Sequence, residues 1–436
     1  MPPPDPVALE IAAAFLAGPW RVKAMVARAL DSLGLAEPPP TWLLTLARAA
    51  RRRHADGPPL DARDELAWFL ARHQRFGSQA RRAGVAHPVL LPAEMRATRF
   101  EVPPLATEGE LAAWLGVRPG VLDWLADRRG LERWVDQRRL ERYSYRWIAK
   151  RSGGARLLEA PRGRLRSVQR RILDEVLAHV PAHDAAHGFR RGRSPVTAAR
   201  PHVGQAVVLR VDIEEFFNSI TAARIRAIFR TAGYPEHVAW ALAGLCSNRS
   251  PRALLSAVPF VARTRLLTPH LPQGAPTSPA LANLCAFRLD ARLAGLAAAA
   301  GARYTRYADD LAFSGDLSLA RGVIRFAAMV EAIAADEGFH LNARKTRVLR
   351  AGVRQELAGV VVNVRPTIRR RDFDRLKAIL TNCVRHGPDW QNRDGHPDLR
   401  AHLRGKIAWV EGIDARRGAR LRSLFDRVAW EPEPAS

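Results

Sequence analysis

The sequence Ala-Val-Val-Leu-Arg-Val-Asp-Ile at positions 206–213 and the sequence Tyr-Ala-Asp-Asp at positions 307–310 decide the fold. Side chains in the first stretch alternate between two faces, which predicts a β-strand that ends at Asp212. Apolar half-strands at 304–307 and 311–314 flank the second stretch, which predicts a hairpin with a tight acidic turn. Both acidic groups are therefore expected at the ends of buried strands.

Asp212, Asp309 and Asp310 are the candidate catalytic carboxylates. Adjacent aspartates repel one another, and placing them beside buried strands costs free energy unless a cation compensates. Mg²⁺ prefers carboxylate and phosphate oxygens, and two such ions about 3.5–4 Å apart stabilise both the attacking and the leaving oxygen of a phosphoryl transfer. Taken alone, Asp309 and Asp310 are also consistent with a simple polar turn.

The rest of the chain combines helices and strands, which predicts an α+β fold. A hairpin is expected at 143–159 with its turn at 152–154, and a Pro-rich linker is expected at 86–106. Apolar residues at helical spacing predict helices at 22–33, 42–53, 61–76 (with Asp61 as its N-cap) and 165–180, and two short ones within 108–128.

Composition indicates an anionic partner. The 436 residues contain 69 Lys+Arg against 43 Asp+Glu, a net charge of +26, which favours nucleic acid. A GC-rich genome would explain the preference for Arg over Lys, but not this surplus of positive charge.

Apolar runs are too short for a membrane span, a signal peptide is not expected, and the three scattered cysteines suit a reducing cytoplasm.

Four segments in order, 211–220, 271–279, 307–310 and 341–346, resemble the successive motifs of reverse transcriptases, and the resemblance covers 105–436. Within that family the chain is similar to bacterial retron enzymes, because the sequence Ala-His-Gly-Phe-Arg-Arg-Gly-Arg-Ser starts at Ala186. Two departures stand out: His202 lacks the Asn that retrons place before it, and only Gly359 remains of their Val-Thr-Gly element.

The resemblance implies an α+β right-hand polymerase with an extra N-terminal helical region. Its expected parts are an N-terminal helical extension and linker at 1–95, fingers at 96–204, palm with some fingers elements at 205–363, and an RNA-binding thumb at 364–436.

The resemblance also implies roles for single residues of the palm. Asp212, Asp309 and Asp310 match the metal-binding triad, and the carbonyl of Ile213 faces a metal. Phe217 matches the aromatic steric gate that leaves no room for a ribose 2′-hydroxyl, with Phe216 in the core. The alternative is that both rings belong to a helical core.

Further matches concern the incoming nucleotide. Gln273 and Gly274 match the loop along the template and nucleotide, and Lys150 and Arg156 match the fingers cations that grip the triphosphate. Arg151 is a rival to Lys150. Lys345 is expected to assist the leaving pyrophosphate; the alternative is a solvated surface lysine.

The basic C-terminal segment is the candidate RNA-binding surface, by phosphate contacts. A solvated basic face is the alternative, and Trp409 is expected in the core rather than stacked on a base. The candidate RNA-binding residues are Arg369, Arg370, Arg371, Lys377 and Lys406.

The sequence therefore predicts a cytoplasmic retron-type RNA-directed DNA polymerase without membrane contact. The resemblance implies that it uses dNTPs and two Mg²⁺ ions, with Mn²⁺ as a substitute, to copy a partner non-coding RNA from an RNA 2′-OH primer. The implied product is msDNA, an RNA–DNA hybrid, and the implied setting is anti-phage defence with an effector protein.

Three alternatives remain open from the residues. A group II intron-like maturase would be expected to continue into DNA-binding and Cys/His-rich domains. A non-catalytic RNA-binding scaffold would not need the intact carboxylates. RNA-dependent RNA synthesis is opposed by Phe217.

Overall fold

The computed structural model describes residues 4–58, 62–89, 94–132, 140–149, 155–256 and 258–430. Its α-helices are α1 (Pro6–Leu16), α2 (Val22–Leu33), α3 (Thr41–Arg53), α4 (Arg63–Ala71), α5 (Ser78–Arg82), α6 (Glu108–Trp114), α7 (Pro119–Ala126), α8 (Gly163–Glu175), α9 (Pro195–Ala199), α10 (Ala222–Thr231), α11 (Glu236–Cys246), α12 (Phe260–Leu267), α13 (Ser278–Cys285), α14 (Phe287–Ala299), α15 (Leu317–Asp336), α16 (Arg370–His386), α17 (Leu399–Ile413) and α18 (Ala415–Phe425).

The β-strands are β1 (Tyr143–Ala149), β2 (Ala155–Pro161), β3 (Val207–Asp212), β4 (Arg303–Tyr307), β5 (Asp310–Gly315), β6 (Arg347–Arg350), β7 (Glu356–Leu357) and β8 (Val360–Val361). The chain divides into two compact units. One comprises Met1–Val180 with Ala222–Asn248, and the other comprises Pro181–Thr221 with Arg249–Ser436.

In the first unit, helices α1 to α5 enclose an apolar core that includes Ile11, Phe15 and Met25. Helix α1 begins where the Asp5 carboxylate accepts hydrogen bonds from the first free amides, one of them 3.0 Å from the nitrogen of Val7. The same unit contains the antiparallel β1–β2 hairpin. The core forms because α1 is apolar on most of its surface and α2 and α3 each pack one apolar face in the same core.

Most of the predicted elements of this unit are confirmed. Helix α2 has the predicted bounds, α6 and α7 are the two short helices, and β1 and β2 pair as expected. The helix predicted at 165–180 is too long, because α8 ends at Glu175 and a 3₁₀ turn follows. The helix predicted at 61–76 is also too long, because α4 spans Arg63–Ala71 with Ala62 at its N-cap. Asp61 and the 152–154 turn lie outside the described residues.

The second unit is built on a four-stranded antiparallel sheet in the order β4-β5-β3-β6. The predicted strand and hairpin are confirmed as β3 and as β4–β5, with Asp310 already the first residue of β5. Helices α16 to α18 and the short β7–β8 hairpin share a second core, in which Phe373, Leu380 and Ile407 are buried. No helix in the described ranges is long and apolar enough to cross a bilayer.

Candidate active site

Two carboxylates face each other at the end of the central sheet. Strands β3 and β5 pair so that Asp212 lies directly opposite Asp310, and residues so paired carry their side chains on the same face. The backbone holds this end of β3 from both sides, because Ile213 donates to the Asp309 carbonyl at 2.9 Å and Asn342 donates to the Asp212 carbonyl at 2.8 Å. The pleat of the sheet therefore fixes where Asp212 and Asp310 lie.

The acidic turn has a strained backbone and a close neighbour. Ala308 has a φ of 57°, in the left-handed region, which costs a residue with a side chain of order 1 kcal/mol. Gly188 approaches so closely that a Cβ on it would lie 2.5 Å from the Ala308 nitrogen. Residue 188 must therefore be glycine for the turn to keep this position.

The carboxylates repel one another. Burial, followed by the charges of Asp309 and Asp212, raises the pKa of Asp310 to about 6, while Arg210 acts in the opposite direction. The Lys345 ammonium lies 3.0 and 2.9 Å from the two carboxylate oxygens of Asp212. Burial alone would lower the pKa of Lys345, but the hydrogen bond and charge of Asp212 outweigh it, so this pKa is raised.

The donors at this site suit a divalent cation in type and charge. Asp212, Asp310 and Asp309 carry the oxygen ligands that Mg²⁺ prefers, and burial, together with the neighbouring carboxylates, raises the pKa of Asp310, so a cation would favour its charged form. Lys345 already provides one positive charge at Asp212. Among the described residues, however, no three carboxylate, imidazole or thiol groups are arranged as a complete metal-binding cluster.

Three phenylalanine rings lie close together, two in the turn that follows β3 and one in the segment that starts at Ala186. Phe216 is buried, as predicted, with its ring centre 5.9 Å from that of Phe339. Phe217 is half-buried and contacts Phe216 and Phe189 edge-on, with ring centres 5.7 and 6.0 Å away. Both Phe216 and Phe217 are in turns, so the helical-core alternative is wrong about the helix.

Phe189 was missed by sequence reasoning. Its ring is 48% exposed, and its backbone has a φ of 61°, again left-handed. Phe189 belongs to the segment that starts at Ala186. The sequence analysis used that segment only for its similarity to retron enzymes and assigned Phe189 no role.

The Gln273 loop is tied to the loop that carries Phe217. Leu271 donates to the Ile220 carbonyl at 3.0 Å, and the Ser278 hydroxyl, at the start of α13, donates to the Pro272 carbonyl at 2.6 Å. Between these contacts Gln273 is half-buried, and Gly274 is exposed with a φ of 130°, a backbone conformation that favours glycine.

The predicted fingers cations belong to the other part of the chain. Arg156 is exposed on β2, opposite Ile148, in the other compact unit. Lys150 and its rival Arg151 lie outside the described residues. Lys345 is solvated, as the alternative of a surface lysine supposes, with 49% of its side chain exposed, but it also pairs with Asp212.

The predicted RNA-binding residues are exposed. Arg369 forms two hydrogen bonds with Glu356, at 2.7 and 2.5 Å, and Arg370 lies 3.5 Å from Asp374, so part of this charge is internally paired. The core position predicted for Trp409 is wrong, because this side chain is 40% exposed. The buried stripe of α17 contains Leu403, Ile407, Val410 and Ile413, and position 409 falls outside it.

Comparison with known proteins identifies the family of this chain. The family described as reverse transcriptase (RNA-dependent DNA polymerase) matches residues 148–372, just over half of the chain. Retron Mx65 reverse transcriptase of Myxococcus xanthus is 42% identical over 76% of this chain and 74% of its own length. Retron Mx162 reverse transcriptase of the same organism is 35% identical, over 78% and 71% respectively.

A more distant relative is retron Ec86 reverse transcriptase of Escherichia coli, which is 26% identical over 63% of this chain and 76% of its own length. The matched range 148–372 includes the paired carboxylates, the phenylalanine loop, the Gln273 loop and Lys345. The chain therefore belongs to the reverse transcriptase family, among its retron-type members, and is an RNA-directed DNA polymerase.

Proposed function

We propose that this polymerase copies a partner non-coding RNA into single-stranded DNA that stays joined to RNA, the product called msDNA. The observation that carries the chemistry is the opposition of Asp212 and Asp310 across β3 and β5, with Asp309 in the adjoining turn. The similarity to named retron reverse transcriptases supports the retron reading over a maturase. Intact carboxylates favour an enzyme over an RNA-binding scaffold.

The proposed division of the chain follows the polymerase hand. Residues 1–95 form an N-terminal helical extension and linker, and residues 96–204 form the fingers. Residues 205–363 form the palm, and residues 364–436 form the thumb. The four-stranded sheet lies in the palm range, and α16 to α18 lie in the thumb range.

In the proposed mechanism, Asp212, Asp309, Asp310 and the carbonyl of Ile213 would hold two Mg²⁺ ions, for which Mn²⁺ would be a substitute. The ions would supply positive charge to the attacking and leaving oxygens of an in-line displacement. The buried sheet holds the carboxylates in position before substrate arrives, and such pre-positioning lowers the activation barrier. Lys345, which donates a hydrogen bond to Asp212, would donate a hydrogen bond to the leaving pyrophosphate.

Nucleotide selection is proposed to involve the neighbouring loops. The Phe217 ring excludes a ribose 2′-hydroxyl by steric overlap, and Gln273 with Gly274 lies along the template and the incoming nucleotide. Lys150 and Arg156 bind the triphosphate of the dNTP.

The proposed partners follow from charge and from the relatives. A net charge of +26 suits an RNA template and an RNA–DNA hybrid product. Exposed Arg370, Arg371, Lys377 and Lys406, with Arg369, are proposed to contact RNA phosphates. Priming from an RNA 2′-OH, action with an effector protein in anti-phage defence, and a cytoplasmic location complete the proposal.

The test is to express the gene with its flanking DNA and to sequence the nucleic acid that purifies with the protein. We expect one structured RNA and a DNA copy of part of it, joined so that ribonuclease leaves a short RNA stub on the DNA. Asp310→Asn is the matched control and should retain the RNA without the DNA. Recovery of RNA alone with the unaltered protein would favour the scaffold, and recovery of a spliced intron would favour the maturase.

A further inference from the structure

Arg306 is a wholly buried arginine on β4, two residues before the strained turn at Ala308. A buried guanidinium is costly unless its donors are paired, so its partners indicate what it holds in place. Its hydrogen-bond partners form two sets, and its guanidinium carbon also lies 5.6 Å from the centre of the Phe216 ring.

The first set is an ion pair. The Arg306 Nε lies 2.8 Å from Asp290 Oδ1, and Nη2 lies 2.6 Å from Asp290 Oδ2, a two-bond fork from β4 to α14. The Tyr304 hydroxyl also donates to Asp290 Oδ1, at 2.7 Å. This set uses one edge of the guanidinium and would by itself be an internal salt bridge.

The second set uses the remaining nitrogen. Nη1 of Arg306 lies 3.0 Å from Asn283 Oδ1 and 3.1 Å from the Ala308 carbonyl. The Asn283 amide in turn donates to the Gly188 carbonyl at 2.9 Å. One guanidinium nitrogen therefore contacts the acidic turn itself and, through Asn283, the glycine packed against that turn.

The backbone of Arg306 joins the same assembly. Its N–H donates to the Ala185 carbonyl at 2.7 Å, and its carbonyl accepts from the His187 N–H, also at 2.7 Å. The segment 185–188 is thus bonded to β4 through both backbone groups of Arg306. The Ala308 peptide is held on one side by Arg306 Nη1 and on the other by the close approach of Gly188.

We propose that Arg306 is a positioning residue of the polymerase reaction: through Nη1 it fixes the Ala308 peptide and so the carboxylates of Asp309 and Asp310. The inference rests on the proposed role of those two carboxylates. Lysine cannot replace arginine here, because a single ammonium cannot bond the Asp290 fork, the Asn283 oxygen and the Ala308 carbonyl in this planar arrangement.

The test measures single-nucleotide incorporation on a primed RNA, with the burst rate and the burst amplitude recorded separately. Amplitude counts competent enzyme, whereas the rate reports geometry within each competent molecule. We expect Arg306→Lys to lower the burst rate by about 10- to 100-fold, the loss typical of a misplacement near 1 Å. Dissociation constants for nucleotide and primed RNA should stay within about threefold, because Arg306 is buried and does not reach either ligand.

Two further variants separate positioning from stability. Asp290→Asn with Arg306→Met removes the buried charges together, a change that such pairs often tolerate; it should fold and still show the low burst rate. Leu293→Ala creates a cavity on α14 at a buried residue outside this network. It should lower the melting temperature and the amplitude but leave the rate unchanged.

The outcomes are distinct. An unaltered burst rate in whichever Arg306 variant folds, or a loss confined to amplitude as in Leu293→Ala, would overturn the inference. Asp310→Asn tests the proposed function in the same assay. If Asp310→Asn is inactive while the Arg306 variants are normal, only the positioning role of Arg306 fails. If Asp310→Asn is fully active, the proposed role of the carboxylates fails.

Discussion

His202 joins two strands of the sheet that carries the carboxylates, and its protonation should weaken the second unit. Its Nδ1 lies 2.7 Å from the Ser314 hydroxyl and its Nε2 lies 2.8 Å from the Thr305 hydroxyl. The Thr305 hydroxyl donates to the Ala198 carbonyl at 3.0 Å, so its oxygen is left to accept from Nε2–H. In the neutral ring Nδ1 then accepts from the Ser314 hydroxyl, whereas in the protonated ring both nitrogens would have to donate.

The size of the effect follows from the pKa. Burial, followed by the charges of Arg303 and His187, lowers the pKa of His202 to about 3 in the folded protein, against roughly 6.5 when unfolded. The unfolded state therefore binds the proton more readily. The stability due to the neutral ring is complete above pH 6.5 and is lost as the pH falls toward 3. At pH 5, about 1.5 pH units below the unfolded value, the loss is roughly 2 kcal/mol.

The perturbation is His202→Gln, which removes the titrating group. Melting temperatures of both proteins are compared by calorimetry between pH 7.5 and pH 5. For a unit of this size, each kcal/mol of stability changes the melting temperature by roughly 2–4 °C. The melting temperature of the unaltered protein should therefore fall by about 4–8 °C more than that of the variant over this pH range. His386→Gln, at an exposed residue of α16, is the control and should follow the unaltered protein.

The variant should be the less stable protein at pH 7.5, because the hydroxyls of Ser314 and Thr305 each lose a partner. Plots of melting temperature against pH for the two proteins should converge in acid. Parallel curves for the two proteins would refute the reasoning, since His202 would then not titrate differently on folding.

Three further predictions concern the site and its partner. Phe217→Ala should raise ribonucleotide incorporation relative to deoxyribonucleotide incorporation, measured as a ratio of kcat/KM values. If this ratio is unchanged in Phe217→Ala but altered in Phe216→Ala, the Phe216 ring is the gate. Lys345→Gln should lower the Mg²⁺ concentration for half-maximal synthesis, because an ammonium no longer competes for Asp212, while the maximal rate falls; an unchanged Mg²⁺ titration would contradict this. Exchanging 364–436 for the equivalent segment of another retron enzyme should keep synthesis on generic primed RNA and switch the preferred non-coding RNA in a binding competition. A chimera that still selects the original RNA would place recognition elsewhere.

The elements that position the site were predictable because their signals are local. Alternation at 206–213 and an acidic turn between apolar half-strands define β3 and the β4–β5 hairpin, and pairing then brings Asp212 opposite Asp310. Helix α2 was predicted to the residue because its apolar face has helical spacing.

The remaining features depend on partners distant in sequence. Nothing local marks Arg306 as buried, since its ion pair with Asp290 and its contact with Asn283 appear only when α13, α14 and β4 pack together. Phe189 and Phe217 are distant in sequence, and their ring contact forms only in the folded chain. Trp409 was misplaced because aromatic character alone does not indicate which face of a helix is buried.

The most direct test of the account is the Asp310→Asn substitution, assayed by primer extension on the RNA that purifies with the protein. Asparagine keeps the shape but removes the charge opposite Asp212, so a reaction that depends on charge neutralisation should stop. We expect DNA synthesis in Mg²⁺ to fall by at least about 10³-fold, or roughly 4 kcal/mol of transition-state stabilisation, while RNA binding and melting temperature are retained. Full-length DNA made at the unaltered rate by Asp310→Asn would contradict the account.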